Sequence, residues 1–202
     1  GSEMCIRDSY SSSRLIKEYG FILGIQLMIG LPGDTCELDL YSARETVAIS
    51  PSIARLYPTV VIPDTELHKM FLQGRYCPMQ QEDAIIRTAA MYRILDSAGI
   101  NIIRVGLKSS DIINGKNMQA GTFHPAFRQL VEGKIAQEDL DIQLRGCKPN
   151  TSVCCVSHPD SFNNMIGHKA VNKKYFSSAY PDLRISYKAD GNMRKGTYSI
   201  KF

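Results

Sequence analysis

The chain has 202 residues, with 24 Lys and Arg against 20 Asp and Glu, 44% hydrophobic residues and 22% charged residues. This balance excludes a disordered or collagen-like chain, and six Cys without a regular framework exclude a disulfide scaffold. The longest apolar stretch, around residues 22–31, is interrupted by Gly24, Gln26 and Gly30 and falls far short of the roughly 20 residues that a membrane span needs. We therefore expect no membrane partner. The scattered cysteines favour a reducing compartment, so we expect a cytoplasmic protein.

The positive charge is concentrated at the C-terminal end. Residues 1–150 contain 16 Lys and Arg against 17 Asp and Glu, whereas residues 151–202 contain 8 against 3, a net charge of +5. Such a local excess is typical of a surface that binds phosphates or acidic partners, and a solvated basic face is the alternative.

Helical and strand-like segments alternate from residue 11 onward. The first predicted elements are the end of a helix at 13–19 before Gly20, a strand at 21–31 and a turn at Pro32-Gly33. A helix follows, capped by Asp34 or Thr35, with Cys36, Leu40, Ala43 and Val47 on one face. The remaining elements are a strand at 53–62 closed by Pro63, a helix at 80–98 with Ile85, Ala89, Tyr92 and Leu95 in one stripe, and a strand at 100–107. This alternation predicts an α/β fold, a parallel sheet covered by helices.

The first nine residues do not read as part of this pattern. Glu3–Ser9, EMCIRDS, contains what the genetic code gives for a sequencing-adapter end, so we expect residues 1–9 to be an artefact and the native sequence to be interrupted upstream of Tyr10.

Four segments carry a resemblance to a known family. They are QLMIGLPGDT (26–35), ARLYPTVVIPDTELHKMFLQGRY (54–76), IIRVGLKSSD (102–111) and GTFHPAFRQLVEG (121–133). Together they resemble the second half of radical S-adenosylmethionine (radical SAM) enzymes, in the branch of the Elongator catalytic subunit and the oxygen-independent coproporphyrinogen oxidases. The resemblance implies that residues 10–133 form the C-terminal half of a partial (β/α)6 barrel, followed by a linker at 134–150 and a small basic α+β domain at 151–202.

In such enzymes a 4Fe-4S cluster held by C-x-x-x-C-x-x-C reduces the bound S-adenosylmethionine. That motif does not occur in this sequence. We therefore expect no metal ligands and no catalytic residues here, and an inactive fragment of an enzyme whose full-length form uses both cofactors. The resemblance assigns the adenosine side of the cofactor site, with Gln26 at the ribose and the others at the adenine, to Gln26, Met28, Gly30, Tyr57, Thr59, Val60 and Val61.

Three further polar residues follow the barrel segments. Arg104 ends an apolar strand, and His124 and Arg128 are four residues apart, which places them on one helical face if Pro125 is the first helical residue. Substrate or RNA positioning is one interpretation of the three, and caps and surface ion pairs are the other.

The tail from Thr151 predicts a strand, two helices separated by a glycine turn, and a hairpin of two further strands. This order is similar to a KH-type RNA-binding module, in which a G-x-x-G loop clamps the nucleotide backbone. Here the loop is Gly167-His168-Lys169-Ala170, which lacks the second glycine, and Lys169, Lys173 and Lys174 lie beside it. RNA contact through Gly167 and these lysines is one prediction, and a solvated basic helix is the alternative.

Three functions remain open at this stage. The first is a fragment of a radical SAM enzyme acting on tRNA or another RNA, without acetyl transfer, because the residues after 133 include no R-x-x-G-x-G loop for acetyl-CoA. The second is a non-catalytic RNA-binding or interaction module, and the third is a porphyrinogen-oxidising or haem-handling radical SAM protein. In each case the strand at 21–31 would leave an apolar sheet edge exposed, which favours self-association.

Overall fold

The computed structural model describes residues 3–108 and 118–202, which divide into two compact units, one ending at Phe127 and one spanning Arg128–Phe202. The elements up to the unit boundary are α1 (Glu3–Glu18), β1 (Gly24–Ile29), α2 (Cys36–Ile49), β2 (Ile53–Pro58), β3 (Val60–Val61), α3 (Glu66–Leu72), α4 (Gln81–Ser97), β4 (Asn101–Val105) and β5 (Ala120–Gly121). After them come α5 (Phe127–Leu144), which begins at the boundary, β6 (Ser152–Ser157), a 3-10 turn at Pro159–Ser161, α6 (Phe162–Ile166), a 3-10 turn at His168–Ala170, α7 (Val171–Ala179), β7 (Arg184–Ala189) and β8 (Tyr198–Lys201).

A three-stranded parallel sheet, in the order β1-β2-β4, organises the first unit. Helices α2 and α4 cover one face of this sheet. The core between the sheet and the helices contains Ile29, Ala43, Ala54, Leu56, Ala89, Met91, Leu95, Ile102 and Val105. The predicted α/β class with a parallel sheet is therefore confirmed.

Local signals in the sequence set the first turns and caps. Gly20 has φ +79°, in the left-handed region that favours glycine, and it follows α1 as predicted. Of the two predicted caps, the hydroxyl oxygen of Thr35 accepts a hydrogen bond from the Leu38 amide at 3.2 Å. These features depend on neighbouring residues alone, which is why the sequence located them.

Two strand predictions were too long. Phe21 and Ile22 precede β1 and are 70% and 76% exposed. The predicted strand 53–62 is in fact two strands: β2 ends at Pro58, and the chain crosses through Thr59 to β3, which pairs antiparallel with β5 in a separate sheet. The physical reason is non-local, because the partner that draws β3 away lies about 60 residues further along the chain.

The predicted helical stripes are partly corrected. In α2, Cys36 is exposed, and the buried positions include Asp39 and Thr46 as well as Ala43. In α4 the fully buried stripe contains Ala84, Thr88, Ala89, Met91 and Leu95, whereas Ile85 and Tyr92 lie at its margin. Small and polar side chains occupy the buried stripes because α2 and α4 pack against each other as well as against the sheet.

In the second unit a three-stranded sheet has the order β7-β6-β8, with β7 parallel and β8 antiparallel to the central β6. The predicted succession of strand, two helices and two strands is present. The predicted hairpin is wrong, because β7 and β8 flank β6 and do not pair with each other. An apolar central strand, with Val153, Cys155 and Val156 buried, attracts a partner on each edge.

Helix α5 continues through most of the expected linker. It runs to Leu144, so only residues 145–150 of the segment 134–150 lie outside it and before β6. Its buried residues Val131, Ile135, Ala136, Leu140 and Leu144 recur at helical spacing, which extends the helix without interruption. The boundary expected after residue 133 therefore falls inside a helix.

Some of the predicted segments lie partly outside the described residues. These are residues 1 and 2 of the segment 1–9, and residues 109–111 of IIRVGLKSSD. The described α1 begins at Glu3 and continues past Tyr10. Among residues 3–108 and 118–202, no helix combines the length and the apolar character required to cross a bilayer.

We predict that this chain self-associates at high concentration. In the described sheet β1 is an edge strand, and Tyr19, Phe21 and Ile22 just before it expose 70% or more of their surface. An open edge next to apolar side chains favours pairing with another chain. Sedimentation equilibrium should show oligomers of the wild type, and the pair Phe21→Ser and Ile22→Ser should reduce them.

The matched control for this prediction is Phe202→Ser, which removes an apolar side chain that is 85% exposed in the second unit. It should leave the oligomer population unchanged. A wild-type chain that stays monomeric and unfolds cooperatively at the highest concentration would contradict the prediction.

Candidate functional site

The accessible side chains among the predicted cofactor residues lie mostly on one face of the β1-β2-β4 sheet, the face opposite α2 and α4. Gln26 lies opposite Arg55, and Met28 lies opposite Tyr57, on the adjacent strands β1 and β2. Gln26 and Arg55 are exposed, Met28 is 42% exposed, and Tyr57 is half-buried. Because side chains alternate between the faces of a strand, these four residues share one face. We call this surface the open face.

Three predicted cofactor residues do not lie on the open face. Thr59 and Val61 are 4% and 0% exposed, and Val60 is half-buried in β3. The Val61 carbonyl accepts a hydrogen bond from the Gln119 amide at 3.0 Å, so this backbone oxygen is already engaged. The sequence interpretation treated these residues as a continuation of the preceding strand, and the change of sheet at Thr59 separates them from it.

The Thr59 hydroxyl is a buried polar group without a hydrogen-bond partner among the described residues. Its amide donates to the Ile29 carbonyl at 2.9 Å, but its Oγ1 atom has no hydrogen-bond partner among the described residues. An unpartnered buried hydroxyl is uncommon and costs about 1–3 kcal/mol. A bound water or ligand atom next to Thr59 would remove this cost.

A cleft of about 350 Å³ lies at the carboxyl end of β1, between the turn at 30–34 and the segment 75–80. Tyr76, which is buried, donates a hydrogen bond to the Gly30 carbonyl at 2.7 Å. A Cβ on Gly30 would lie 2.8 Å from Met79 Cε, whereas one on Gly33 would meet nothing within 4 Å. In this structure the space beside Gly30 is therefore filled by Met79, and Gly33 is the glycine whose backbone remains approachable.

An ion pair that the sequence analysis did not anticipate joins α2 to α4. Arg87 Nη1 lies 3.1 Å from Asp39 Oδ2, and Asp39 is only 3% exposed. Burial raises the pKa of Asp39, and the hydrogen bond from Arg87 opposes this rise without cancelling it. The pair links the two helices, and it lies outside the open face.

The three residues expected to position substrate lie on different elements. Arg104 is exposed on β4 opposite Arg55 of β2, which adds it to the open face. His124 and Arg128 do not share a helical face, because α5 begins at Phe127 and not at Pro125. His124 instead closes the turn before the helix: its Nδ1 accepts from the Ala126 amide at 3.1 Å and its carbonyl accepts from the Phe127 amide at 3.0 Å.

Arg128 has a structural partner within α5. Its Nε atom donates to Glu132 Oε1 at 2.7 Å, a pair separated by four residues on one helical face. This contact accords with the alternative interpretation, in which the residue belongs to a surface ion pair.

In the second unit, the glycine turn at 167–170 is supported from beneath by Asn172. The Asn172 amide, 2% exposed, donates to the Gly133 carbonyl at 2.8 Å and the Asn164 carbonyl at 3.1 Å. Gly167 and Lys169 both have positive φ, at +80° and +52°. The turn is thus held by buried hydrogen bonds that the sequence interpretation did not include.

The lysines around this turn are accessible. Lys173 and Lys174 are exposed on α7, while Asn172 and Phe176 of the same helix are buried. Lys169 is exposed in the turn. These positions leave both interpretations of the basic tail open, RNA contact and a solvated face.

The described residues offer no donor set for an iron-sulfur cluster. Across 3–108 and 118–202, no group of three or more His, Cys, Asp or Glu side chains is arranged to hold a metal ion. Cys154 and Cys155 alternate across β6: Cys154 is partly exposed and Cys155 is fully buried, which raises the pKa of the Cys155 thiol to about 12.

Comparison with known proteins relates part of this chain to a family. Residues 51–137 match the model of the Radical_SAM C-terminal domain. A tRNA uridine(34) acetyltransferase of Methanocaldococcus jannaschii is 32% identical over 83 residues, which are 40% of this chain and 15% of that protein. A protein of the same name from Dehalococcoides mccartyi is 36% identical over 76 residues, 36% of this chain and 17% of that protein.

A solved structure shares the fold. The archaeal Methanocaldococcus infernus Elp3 with an N-terminus deletion aligns with a TM-score of 0.56 and 23% identity, covering 65% of this chain and 30% of that one. The chain spans about 15–17% of the length of the curated relatives it matches. The sequence matches support a relationship to the C-terminal part of radical S-adenosylmethionine enzymes on their Elongator-like side, and the solved structure supports the fold.

Proposed function

We propose that this chain supplies the adenosine-facing half of a radical SAM site in an Elongator-like protein whose substrate is tRNA. The observation that carries the proposal is the open face, where Gln26, Met28 and Tyr57 lie at adjacent ladder positions of two parallel strands. Ligands of open parallel sheets bind beyond the carboxyl ends of the strands. These three residues lie on the strands that end there.

The residues present fit the adenosine part of S-adenosylmethionine. The Gln26 amide is exposed and can both donate and accept, which suits ribose hydroxyls. Met28 and Tyr57 offer an apolar surface for the adenine, and the unpartnered Thr59 hydroxyl supports a polar ligand atom nearby. When it is bound to a reduced 4Fe-4S cluster, the cofactor supplies a 5′-deoxyadenosyl radical. No step of that chemistry is assigned to the described residues, because they contain no donor set for the cluster.

The relatives support tRNA as the substrate class. Both sequence relatives reported above are named tRNA uridine(34) acetyltransferases. Acetyl transfer is the activity in the relatives' names. We do not extend it to this chain, which spans a small share of their length.

The first test measures binding of 5′-deoxyadenosine to the whole chain by isothermal titration calorimetry. Gln26→Ala should weaken binding about fivefold, which corresponds to the loss of one hydrogen bond of about 1 kcal/mol. Gln81→Ala, at an exposed position at the start of α4, is the matched control and should leave the affinity unchanged. Equal affinities for all three proteins would contradict the assignment of Gln26 to the ribose.

The basic tail supports a second candidate, a KH-like RNA-binding function of the second unit. We expect it to bind single-stranded RNA weakly and with a strong dependence on salt, because each neutralised phosphate releases counterions. The expected log-log slope is about −0.7 per contact. Replacing Lys169, Lys173 and Lys174 by Ala should therefore reduce the slope by roughly two units, as measured by fluorescence anisotropy at several salt concentrations.

The control for this experiment removes the same amount of charge from another surface of the unit. Arg184, Lys188 and Lys201 are exposed on β7 and β8, so replacing all three by Ala lowers the net charge equally. This variant should retain the wild-type slope. If both triple variants behave alike, or if the affinity does not respond to salt, the turn at 167–170 is a solvated basic surface and not a recognition element.

A further inference from the structure

We propose that Arg55 and Arg104 form an oxyanion site on the open face, and that this site binds a phosphate group of the nucleic-acid substrate. The two arginines are about 50 residues apart in the sequence and directly opposite each other in the β2-β4 ladder. That the phosphate belongs to a nucleic acid rests on the proposed function. The site itself is inferred from the geometry alone.

An irregularity in the sheet brings the two side chains together. Ala54 pairs with Ile102, but Arg55 pairs with Arg104, so Ile103 is an extra residue on β4. With regular pairing Arg55 would face Ile103, and Arg104 would point to the buried face with Leu56. A shift of one residue moves a side chain to the other face of a sheet, and bulges are rare in parallel pairs and enriched next to functional sites. The bulge thus places Arg104 on the open face.

The charges of this pair have no counterpart in the described protein. Like charges at directly opposed ladder positions destabilise a sheet. Both guanidinium groups are exposed, and among the described residues neither has a hydrogen bond or an ion pair to an acidic group. The third strand of the sheet contributes Gln26, a neutral amide, in the same row. A bound anion is the simplest feature that would make this juxtaposition favourable.

Phosphate fits this row better than a carboxylate does. Each guanidinium presents a planar fork that can donate two hydrogen bonds, and two forks side by side match a group with three or four oxygens and up to two negative charges. One carboxylate offers two oxygens and a single charge, which one arginine already satisfies. A tRNA substrate would supply such phosphates along its backbone, on the same face as the adenosine residues.

The site is tested by ³¹P NMR titration of the whole chain with inorganic phosphate. We expect saturable binding, and a roughly tenfold loss of phosphate affinity in both Arg55→Gln and Arg104→Gln, since each removes one charge-assisted fork. Arg104→Lys should lose less, because it keeps the charge without the fork. The control is Arg44→Gln, at an exposed position on α2, which should match the wild type.

Two further arms separate the sources of the anion. Acetate should compete poorly with phosphate, and a short oligoribonucleotide should compete in the wild type and less in the two glutamine variants. Circular dichroism of each variant verifies that it folds. Unchanged phosphate affinity in both variants, or acetate competing as well as phosphate, would overturn the proposal. Phosphate binding without any difference in oligoribonucleotide competition would retain the site and count against tRNA as its ligand, and hence against the proposed substrate.

Discussion

Replacing Asp141 by Asn should destabilise the second unit by about 2–3 kcal/mol, the range of a lost hydrogen bond to a charged group together with the partner it leaves unsatisfied. Asp141 is 7% exposed, and its Oδ1 atom accepts hydrogen bonds from the hydroxyls of Tyr175 at 2.9 Å and Tyr180 at 2.7 Å. Its Oδ2 atom accepts from the guanidinium of Arg145. Asn offers one acceptor and no charge, so it cannot serve all three donors.

The loss should appear in the hydrogen exchange of the β6 amides and in the urea midpoint of the second unit. The matched control is Asp182→Asn, an exposed carboxylate that should change stability by less than about 0.5 kcal/mol. Similar stabilities of the wild type and Asp141→Asn would show that the two tyrosines and Arg145 do not depend on the carboxylate.

The same residue predicts a difference in acid sensitivity. Burial acts to raise the pKa of Asp141, but the hydrogen bonds from Tyr180, Tyr175 and Arg145 outweigh it and hold the pKa below its usual value. A pKa that is lower in the folded state than in the unfolded one contributes stability above the unfolded value of about 3.9, and the contribution disappears as the pH falls through the folded value. Wild-type stability should therefore decrease more steeply than that of Asp141→Asn below about pH 4.

Replacing Gly167 by Ala should have the other large effect, a loss of about 3–5 kcal/mol in the stability of the second unit. Gly167 has φ +80° and ψ +155°, a backbone region that is nearly exclusive to glycine and costs other residues about 1–3 kcal/mol. An added Cβ would also lie 2.8 Å from the backbone nitrogen and Cγ of Asn172, and such overpacking costs about 1–3 kcal/mol more. Because Asn172 donates to the Gly133 and Asn164 carbonyls, its displacement would break buried hydrogen bonds.

Two other glycines separate these contributions. Gly196 has φ +78° but open space around it, so Gly196→Ala should report backbone strain alone, about 1–3 kcal/mol. Gly191 has neither a positive φ nor a close neighbour, and its Ala variant should be nearly neutral. Chemical denaturation measures the free energy of unfolding of the three variants, which should fall most for Gly167→Ala and least for Gly191→Ala. A Gly167→Ala protein that keeps its stability but loses RNA affinity would assign the glycine to recognition and not to folding.

The elements that the sequence located are the ones determined by near neighbours. The left-handed glycine after α1, the Thr35 cap of α2 and the succession of strand and helices in the tail all depend on residues within a few positions of each other. Backbone conformation and side-chain capping act over this short range, so a local pattern is sufficient to predict them. The likeness to the Elongator-like branch was carried by such contiguous segments as well.

The predictions that failed required knowledge of partners far along the chain. Whether residues after Pro58 continue a strand depends on β5, and whether β7 and β8 form a hairpin depends on the apolar β6 between them. In each case two local arrangements were compatible with the sequence, and tertiary pairing selected one.

For the candidate site, the sequence by itself determined that Gln26 and Met28 share one strand face, and that Arg55 and Tyr57 share another, since residues two apart on a strand point the same way. Only the tertiary structure decided that these two faces are one surface, and that Arg104 belongs to it. The register of β2 against β4 shifts by one residue at the Ile103 bulge, and a strand sequence does not encode where its neighbour will bulge. The pairing of Arg55 with Arg104 is therefore a property of the folded sheet, because the packing of all three strands on α2 and α4 sets that register.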